Sequence, residues 1–369
     1  MNRRAFLISG VVLAAGDPPV QDDWQRIQRV VAVGDLHGDK DAFVAVLKMA
    51  GLIGEEEHWS GGSAHLVQVG DVPSRGPQSR RAFDFLMRLE KEAAAAEGKV
   101  HALIGNHDAG VIYGDLRNVF PEEYGEFRTP DSERLLAAAF EQEWTQLRRA
   151  GRLPSDPGAL AWLKQSWFER HPPGFVEHRR AFAPSGFYGS WIRSHNAVLR
   201  INDTLFVHGG ISPKYVAQSR RALNAAIRRE LADPDRLLPG TATDTQGPLW
   251  YRGLSEGEVA GLESHLERVL RFHQVRRIVT GHAVTRTAIM PRFGGRVIDI
   301  DIGLSRFFGR PPACLVLEPE SKFVLHRGVK VSLPDPPHEN LVQYLKSIEA
   351  ADEKPSPVSR LLRDMGTDQ

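Results

Sequence analysis

Arg29-Val30-Val31-Ala32-Val33-Gly34-Asp35-Leu36-His37-Gly38, residues 29–38, is the stretch from which the rest of the chain can be read. Val30 to Val33 is an unbroken apolar run, mostly β-branched, which is the pattern of a strand buried on both faces. A glycine then frees the backbone, and a carboxylate and an imidazole follow in a segment without helical period. The same order of events recurs at four more places. Ala64 to Val69 runs into Gly70-Asp71, and Val100 to Ile104 runs into Gly105-Asn106-His107-Asp108. Ala197 to Ile201 and Thr204 to Val207 lead to His208-Gly209-Gly210, and Val275 to Thr280 leads to Gly281-His282. Helical patterns separate the first three: Lys40 to Ala50, with Phe43, Val46 and Leu47 on one face, and Gln78 to Ala96, with Gly98 as its expected C-cap. Val297 to Ile302 and a hairpin-like stretch from Ala313 to Val331 add further strands. Strand, glycine-flanked polar loop and helix in repetition predict an α/β sandwich. Ligands collect at the carboxyl ends of strands in such sheets, and all five polar segments fall there.

The residue types at those ends define a chemistry. Hydrolysing a phosphate ester needs a nucleophile at neutral pH and a counterweight to charge on the phosphoryl oxygens. Two metal ions about 3.5–4 Å apart supply both, by acidifying a shared water and clamping the phosphate. Such a pair needs a bridging carboxylate, further oxygen ligands and imidazoles. Asp35 and His37 can aim at one ion, Asp71 is the natural bridge, and Asn106, His208 and His282 would complete the second. Each has a blander reading alone: Asp35 and Asp71 as helix caps, Asn106 as a turn residue, the histidines as hydrogen-bonded core residues. Their joint placement at strand ends favours metal. His101, on a strand beside them, is read as buried and hydrogen-bonded.

Longer motifs carry a resemblance. Tyr188-Gly189-Ser190-Trp191, the run Ile201 to Pro213 (INDTLFVHGGISP) and Gly247-Pro248-Leu249-Trp250-Tyr251-Arg252 join the five polar segments. Together they resemble the bacterial Shewanella-like branch of the phosphoprotein phosphatases, within the calcineurin-like metallophosphoesterases, over about residues 29–330. The resemblance implies two mixed β-sheets flanked by helices, with a mostly helical cap insertion. It implies two divalent or trivalent ions (manganese, iron or zinc), the first held by Asp35, His37 and Asp71, the second by Asp71, Asn106, His208 and His282. His107 would be the general acid, Arg75 a fork gripping phosphate oxygens, Arg252 a second grip, and Asn106 would also reach substrate. Asp301 is expected to support a metal-bound histidine. The chain departs from the family at two positions: Ser74 replaces the Asp of Gly-Asp-x-x-Asp-Arg-Gly, which normally hydrogen-bonds the acid histidine, and Asp108 replaces a common Glu. The expected activity is therefore metal-dependent hydrolysis of a phosphoprotein or small phosphoester, with weakened proton donation. A dinucleoside polyphosphate hydrolase and a non-catalytic phosphate- or phosphopeptide-binding module are the alternatives.

Composition bounds the rest. The chain has 369 residues, 41% hydrophobic and 25% charged, which fits one large domain or two modest ones and is long enough to bury a sizeable core. A net charge of +1 provides no field to recruit nucleic acid, and no nucleic-acid partner is expected. The pairs Arg148-Arg149, Arg179-Arg180 and Arg228-Arg229 lie in helical stretches and are read as solvated faces. Cys314 is the only cysteine, which excludes an intramolecular disulfide and a thiolate metal site. Arg3-Arg4-Ala5-Phe6-Leu7 and the apolar run to Ala15 resemble a twin-arginine export signal. A periplasmic protein with no membrane span after export is expected, a cytoplasmic or membrane-anchored one being the alternative. The expected organisation is a leader over 1–16, a catalytic domain over 28–332 with its cap at about 110–190, and a C-terminal region over 333–369 with one helix (Leu341 to Ile348) and a flexible tail.

Overall fold

The computed structural model describes residues 20–233, 240–285, 287–334 and 340–366, so the leader expected over 1–16 lies outside the described residues. In chain order the first half contains β1 (Asp23–Trp24), β2 (Val30–Val33), α1 (Lys40–Met49), β3 (His65–Gln68), α2 (Ser79–Ala95) and β4 (Lys99–Ala102). Six helices follow without a strand: α3 (Asn106–Tyr113), α4 (Pro121–Gly125), α5 (Ser132–Arg149), α6 (Pro157–Arg170), α7 (Phe175–Phe182) and α8 (Phe187–Arg193). Then come β5 (Val198–Ile201), β6 (Thr204–Val207), α9 (Arg220–Ala232), α10 (Gly253–Glu256), α11 (Val259–His273), β7 (Arg277–Thr280), β8 (Met290–Arg292) and β9 (Val297–Asp299). The chain ends in the meander β10 (Ala313–Glu318), β11 (Ser321–His326) and β12 (Val329–Ser332), followed by α12 (Asn340–Ala351) and α13 (Pro357–Asp364).

Two six-stranded sheets result among the described residues, ordered β1-β5-β6-β7-β9-β8 and β12-β11-β10-β2-β3-β4. Both are mixed, as the family resemblance implies. β2, β3 and β4 run parallel, with Val30 opposite His65 and His65 opposite Lys99, whereas β10 to β12 are antiparallel. In the other sheet β6, β7 and β9 are parallel. Parallel strands are covered on both faces, which is why their apolar runs are unbroken; every residue of β2 and β6 is buried. One continuous core takes side chains from both sheets and from α1, α2, α9 and α11. The long helices α5 and α6 add a small core of their own, built on Leu136, Phe140 and Trp167.

Local chemistry accounts for the element ends. Asp39 caps α1 by accepting the Ala42 N–H at 2.9 Å, and Asp156 caps α6 through Ala159 at 2.7 Å, with Pro157 in the first turn. The expected cap at Gly98 is corrected: the left-handed residue after α2 is Glu97 (φ 60°). Gly98 is needed instead because a Cβ there would stand 2.4 Å from the Gly62 carbonyl oxygen. The segment after α12 contains α13, whose Val358 and Leu362 are buried. It is tied back to β11 by His326, whose Nε2 lies 2.7 Å from Asp352. For function, the important point is that the five polar segments follow β2, β3, β4, β6 and β7, parallel strands of both sheets.

Candidate metal centre

The loops after β2 and β3 are locked together by backbone: Leu36 and His37 both donate to the Asp71 carbonyl, at 3.1 and 2.9 Å. The Asp71 side chain then stands at the centre. Its Oδ1 accepts the His107 N–H at 2.8 Å and lies 3.3 Å from His208 Nε2, while Oδ2 lies 3.9 Å from His107 Nε2. Two donor clusters share it, His37–Asp71–His107 and Asp71–His208–His282, each with its ligand atoms within 4.8 Å of one another. Asn106 Oδ1 lies 2.9 Å from His208 Nε2. Asp35 accepts the His282 N–H on both oxygens at 3.2 Å, and its Oδ2 is 3.9 Å from His37 Nε2. The structure therefore gathers all six expected ligands. By distance it sets His107 in the first cluster and Asp35 one step behind.

The donor set fits metal. His208 Nδ1 donates to the Val69 carbonyl at 2.9 Å, which turns Nε2 toward Asn106 and Asp71. Three acceptor-bearing groups converging on one point require a cation between them. A proton on the imidazole meets that need without metal: burial depresses His208, but the charge and contact of Asp71, with the Asp108 charge and the Val69 carbonyl, together outweigh it and the pKa is raised. Asp71 responds in kind; burial pushes its carboxyl up, and His208 and His107 pull it well below the usual range. Burial drives His37 down to about 3 and His282 to about 2, so both imidazoles are neutral. A charged carboxylate beside the neutral imidazoles of His37 and His282 is the protonation state that metal ligation requires, and His208 sheds its proton to join them when metal binds. His37 Nδ1 is also buried with no hydrogen-bond partner.

The backbone is strained to make this arrangement. His37 (φ 46°), Asp71 (57°), Arg75 (67°) and His282 (68°) all adopt left-handed conformations without being glycine. Each costs about 1–3 kcal/mol, and such strain persists where it serves a site. Gly105 lets the carboxylate approach: a Cβ there would meet Asp71 Oδ1 at 2.3 Å.

A cleft of about 280 Å³ opens over Asp71. Larger clefts of about 690 and 610 Å³ lie elsewhere and hold neither of the two donor clusters found among the described residues. Arg75 is fixed at its backbone by the Asn118 carbonyl (2.8 Å), and its two terminal nitrogens lie 3.1 Å from His37 Nε2 and 3.3 Å from His107 Nε2. Its fork thus points between the histidines. Arg252 lines the same cleft but donates to the His282 carbonyl at 2.7 Å, so it also holds a ligand's backbone. Asp115, Arg117, Asn118 and Trp250 line the cleft as well. The sequence reading missed them as site residues, although Trp250 lies inside a quoted motif.

One expectation changes. Asp301 does not support a histidine: its Oδ1 accepts the Gly303 N–H at 2.9 Å, and its charge faces Asp35. The Val69 carbonyl orients His208 instead. Asp108 does not face the His107 ring either. It accepts backbone N–H groups of Gly105 (2.8 Å), Asp71 (2.6 Å) and Val72 (3.3 Å), and burial with the nearby Asp71 charge raises it to about 7. Asp108 is a clamp joining two ligand loops, and the carboxylates felt by the His107 imidazole are Asp71 and Asp115. Restoring a charge by Ser74→Asp is therefore expected to raise phosphatase turnover several-fold at pH 8 and less at pH 6, because a nearby carboxylate raises a histidine pKa. Measured pH–rate profiles showing no rise at pH 8 would mean that Asp71 and Asp115 already suffice. His101, by contrast, sits as expected, 3.0 Å from His65 Nδ1 and packed on Trp24.

A model of the calcineurin-like phosphoesterase family matches residues 28–286. The chain belongs to that family. Shewanella-like protein phosphatase 2 of Arabidopsis thaliana is 28% identical over 319 residues, covering 82% of this chain and 78% of that protein. The crystal structure of the cold-active protein-tyrosine phosphatase of a psychrophile Shewanella sp. matches with a TM-score of 0.64 at 26% identity, covering 85% of this chain and 82% of that one. Both agree with the resemblance carried by the motifs. This calcineurin-like phosphoesterase is accordingly a phosphoric ester hydrolase, and its donor set suits the two metal ions with which the family works. Among the described residues no helix is long and apolar enough to cross a membrane.

Proposed function

We propose that this phosphoesterase removes phosphate from phosphoproteins, with phosphotyrosine as the preferred ester and His107 as proton donor. The observation that carries the reading is one carboxylate, Asp71, shared by two donor clusters directly beside the Arg75–His107 pair. The similar Shewanella protein is a protein-tyrosine phosphatase, which supports the choice of ester. Two ions held by Asp35, His37, Asp71, Asn106, His208 and His282 would make water a nucleophile at neutral pH and offset phosphoryl charge. The remaining work falls to side chains. Arg75 presents two N–H groups to phosphate oxygens in a planar fork. His107, 3.3 Å from that fork, gives its proton to the leaving oxygen as the phosphorus–oxygen bond breaks. Arg252 keeps His282 in place from the far wall of the cleft.

Metal dependence tests the reading directly. Stripping the protein with a chelator is expected to lower p-nitrophenyl phosphate turnover roughly 100-fold, and Mn²⁺ should restore it. Turnover indifferent to chelation would overturn the proposal. Faster release of phosphate from a dinucleoside polyphosphate than from any phosphomonoester would favour that other hydrolase instead.

A further inference from the structure

Few large apolar side chains are solvent-exposed among the described residues, and two of them stand together beside the phosphate fork. Phe120, just before α4, is 36% exposed, and Phe307, in the loop after β9, is 53% exposed. Their ring centroids lie 6.0 Å apart. The guanidinium carbon of Arg75 lies 5.6 Å from the Phe307 centroid and 5.4 Å from that of Phe308. Phe308 packs edge-on against Phe307 at 4.9 Å and reaches His37 at 5.7 Å. One guanidinium therefore touches the metal-site histidines with its nitrogens and an aromatic cluster with its face. Stacking on rings holds an arginine plane in a fixed orientation, which explains Phe308. It does not explain why Phe120 and Phe307 remain in water. Exposing two adjacent phenylalanines forgoes the gain from burying them, and such a patch marks a contact surface.

Both mounts are tethered by hydrogen bonds. The Asn118 carbonyl, two residues before Phe120, holds the Arg75 N–H, and the Arg306 N–H, just before Phe307, donates to Asp39 at 2.7 Å. The two rings reach this place from distant parts of the chain, Phe120 from the helical insertion and Phe307 from the sheet that carries His282.

We propose that Phe120 and Phe307 form a shelf that receives the leaving group and makes this site select phosphate esters of aromatic alcohols over those of serine and threonine. The inference rests on the phosphatase reading above and assigns its specificity to these two residues. The leaving oxygen lies by His107, beside Arg75, so the group attached to it leaves the cleft past Arg75 and meets the rings. A phenyl ring offers a flat apolar face there and gains aromatic contact. The methylene of phosphoserine has no ring to place on the shelf.

The test uses the full chain loaded with Mn²⁺ and matched peptides carrying phosphotyrosine or phosphoserine at one position. In the Phe120→Ala/Phe307→Ala double variant, the ratio of kcat/KM values, phosphotyrosine over phosphoserine, is expected to fall about tenfold, chiefly through KM. Phe307→Leu, which keeps apolar bulk without a ring, should fall between wild type and the double variant. An equal loss on both peptides, leaving the ratio unchanged, overturns the shelf. So does a wild type with no aromatic preference. Calorimetric binding of phenylphosphonate against methylphosphonate gives a second readout that needs no turnover; the wild type should prefer the phenyl compound and the double variant should not. Wild-type protein that hydrolyses neither peptide refutes the phosphatase reading, while the phosphonate comparison still decides the shelf.

Discussion

Asp71→Asn is expected to reduce Mn²⁺-dependent hydrolysis of p-nitrophenyl phosphate roughly 1,000-fold, because the stabilisation lost is several kcal/mol and each ~1.4 kcal/mol is a factor of ten in rate. The change is nearly isosteric, so the effect isolates charge. Asn Oδ1 can still accept the His107 N–H that now bonds Asp71 Oδ1 at 2.8 Å, and the Asp71 carbonyl still anchors Leu36 and His37. What disappears is the negative charge shared by the His37–His107 and His208–His282 clusters. His208 shows that the charge is felt, since burial lowers its pKa and Asp71, by charge and contact, leads the groups that raise it again, with Asp108 and the Val69 carbonyl adding to the effect. The variant should therefore fold with an unchanged circular dichroism spectrum and yet lose metal. Elemental analysis after gel filtration provides the second readout. Retention of both metal and activity within tenfold of wild type would remove Asp71 from its bridging place.

How much of this was readable in advance depends on which scale of interaction fixes each feature. β2 and β6 were legible because a strand covered on both faces has no polar residue to break its run, and all eight residues are buried. The candidate ligands stood out for the same reason, since a charged residue at the end of such a run needs an explanation that the strand does not supply. β1 was not legible. It is only Asp23–Trp24 and exists by pairing with Arg200 and Ile201, far along the chain. Nor was α3, whose first turn is Asn106-His107-Asp108: three weak helix formers, occupied by the site, start a helix that local propensity would not. The left-handed backbone at His37, Asp71, Arg75 and His282 is invisible in residue type, because only glycine advertises it.

The site's outer parts share a different cause of illegibility. Asp108 reads as an acid beside an acid histidine, yet its oxygens turn to three backbone N–H groups on the loops of Asp71 and Gly105. Phe120 and Phe307 carry no motif, and their meaning arises only when the helical insertion and the loop after β9 close on Arg75. Spacing along the chain reports what one strand presents. It does not report which face of that presentation a distant loop will cover.

His107→Ala separates proton donation from metal chemistry, and its expected signature is unequal loss. With phosphoserine peptide, whose alkoxide must be protonated as it leaves, kcat should fall about 100- to 1,000-fold near pH 6. With p-nitrophenyl phosphate, whose leaving anion is stable unprotonated, the loss should be about tenfold or less. The pH dependence follows from the environment of the imidazole. Burial lowers the His107 pKa below its ordinary value; the Asp71 charge opposes this, and Arg75, 3.3 Å away, adds to it. A donor must hold its proton, and above its pKa the protonated fraction falls tenfold per pH unit. Wild-type turnover of the alkyl ester should therefore climb as pH drops from 8 toward 6, and the variant should lose that slope while the aryl substrate barely registers it. Acid cannot be lowered without limit, because the ligand carboxylates and imidazoles must stay unprotonated to hold metal, so the rise ends where metal is released. If the variant lost equally on both substrates, or kept the wild-type slope, the donor would have to be another group in the cleft, and Asp115, which lines it and whose charge reaches the His107 imidazole, would be the place to look.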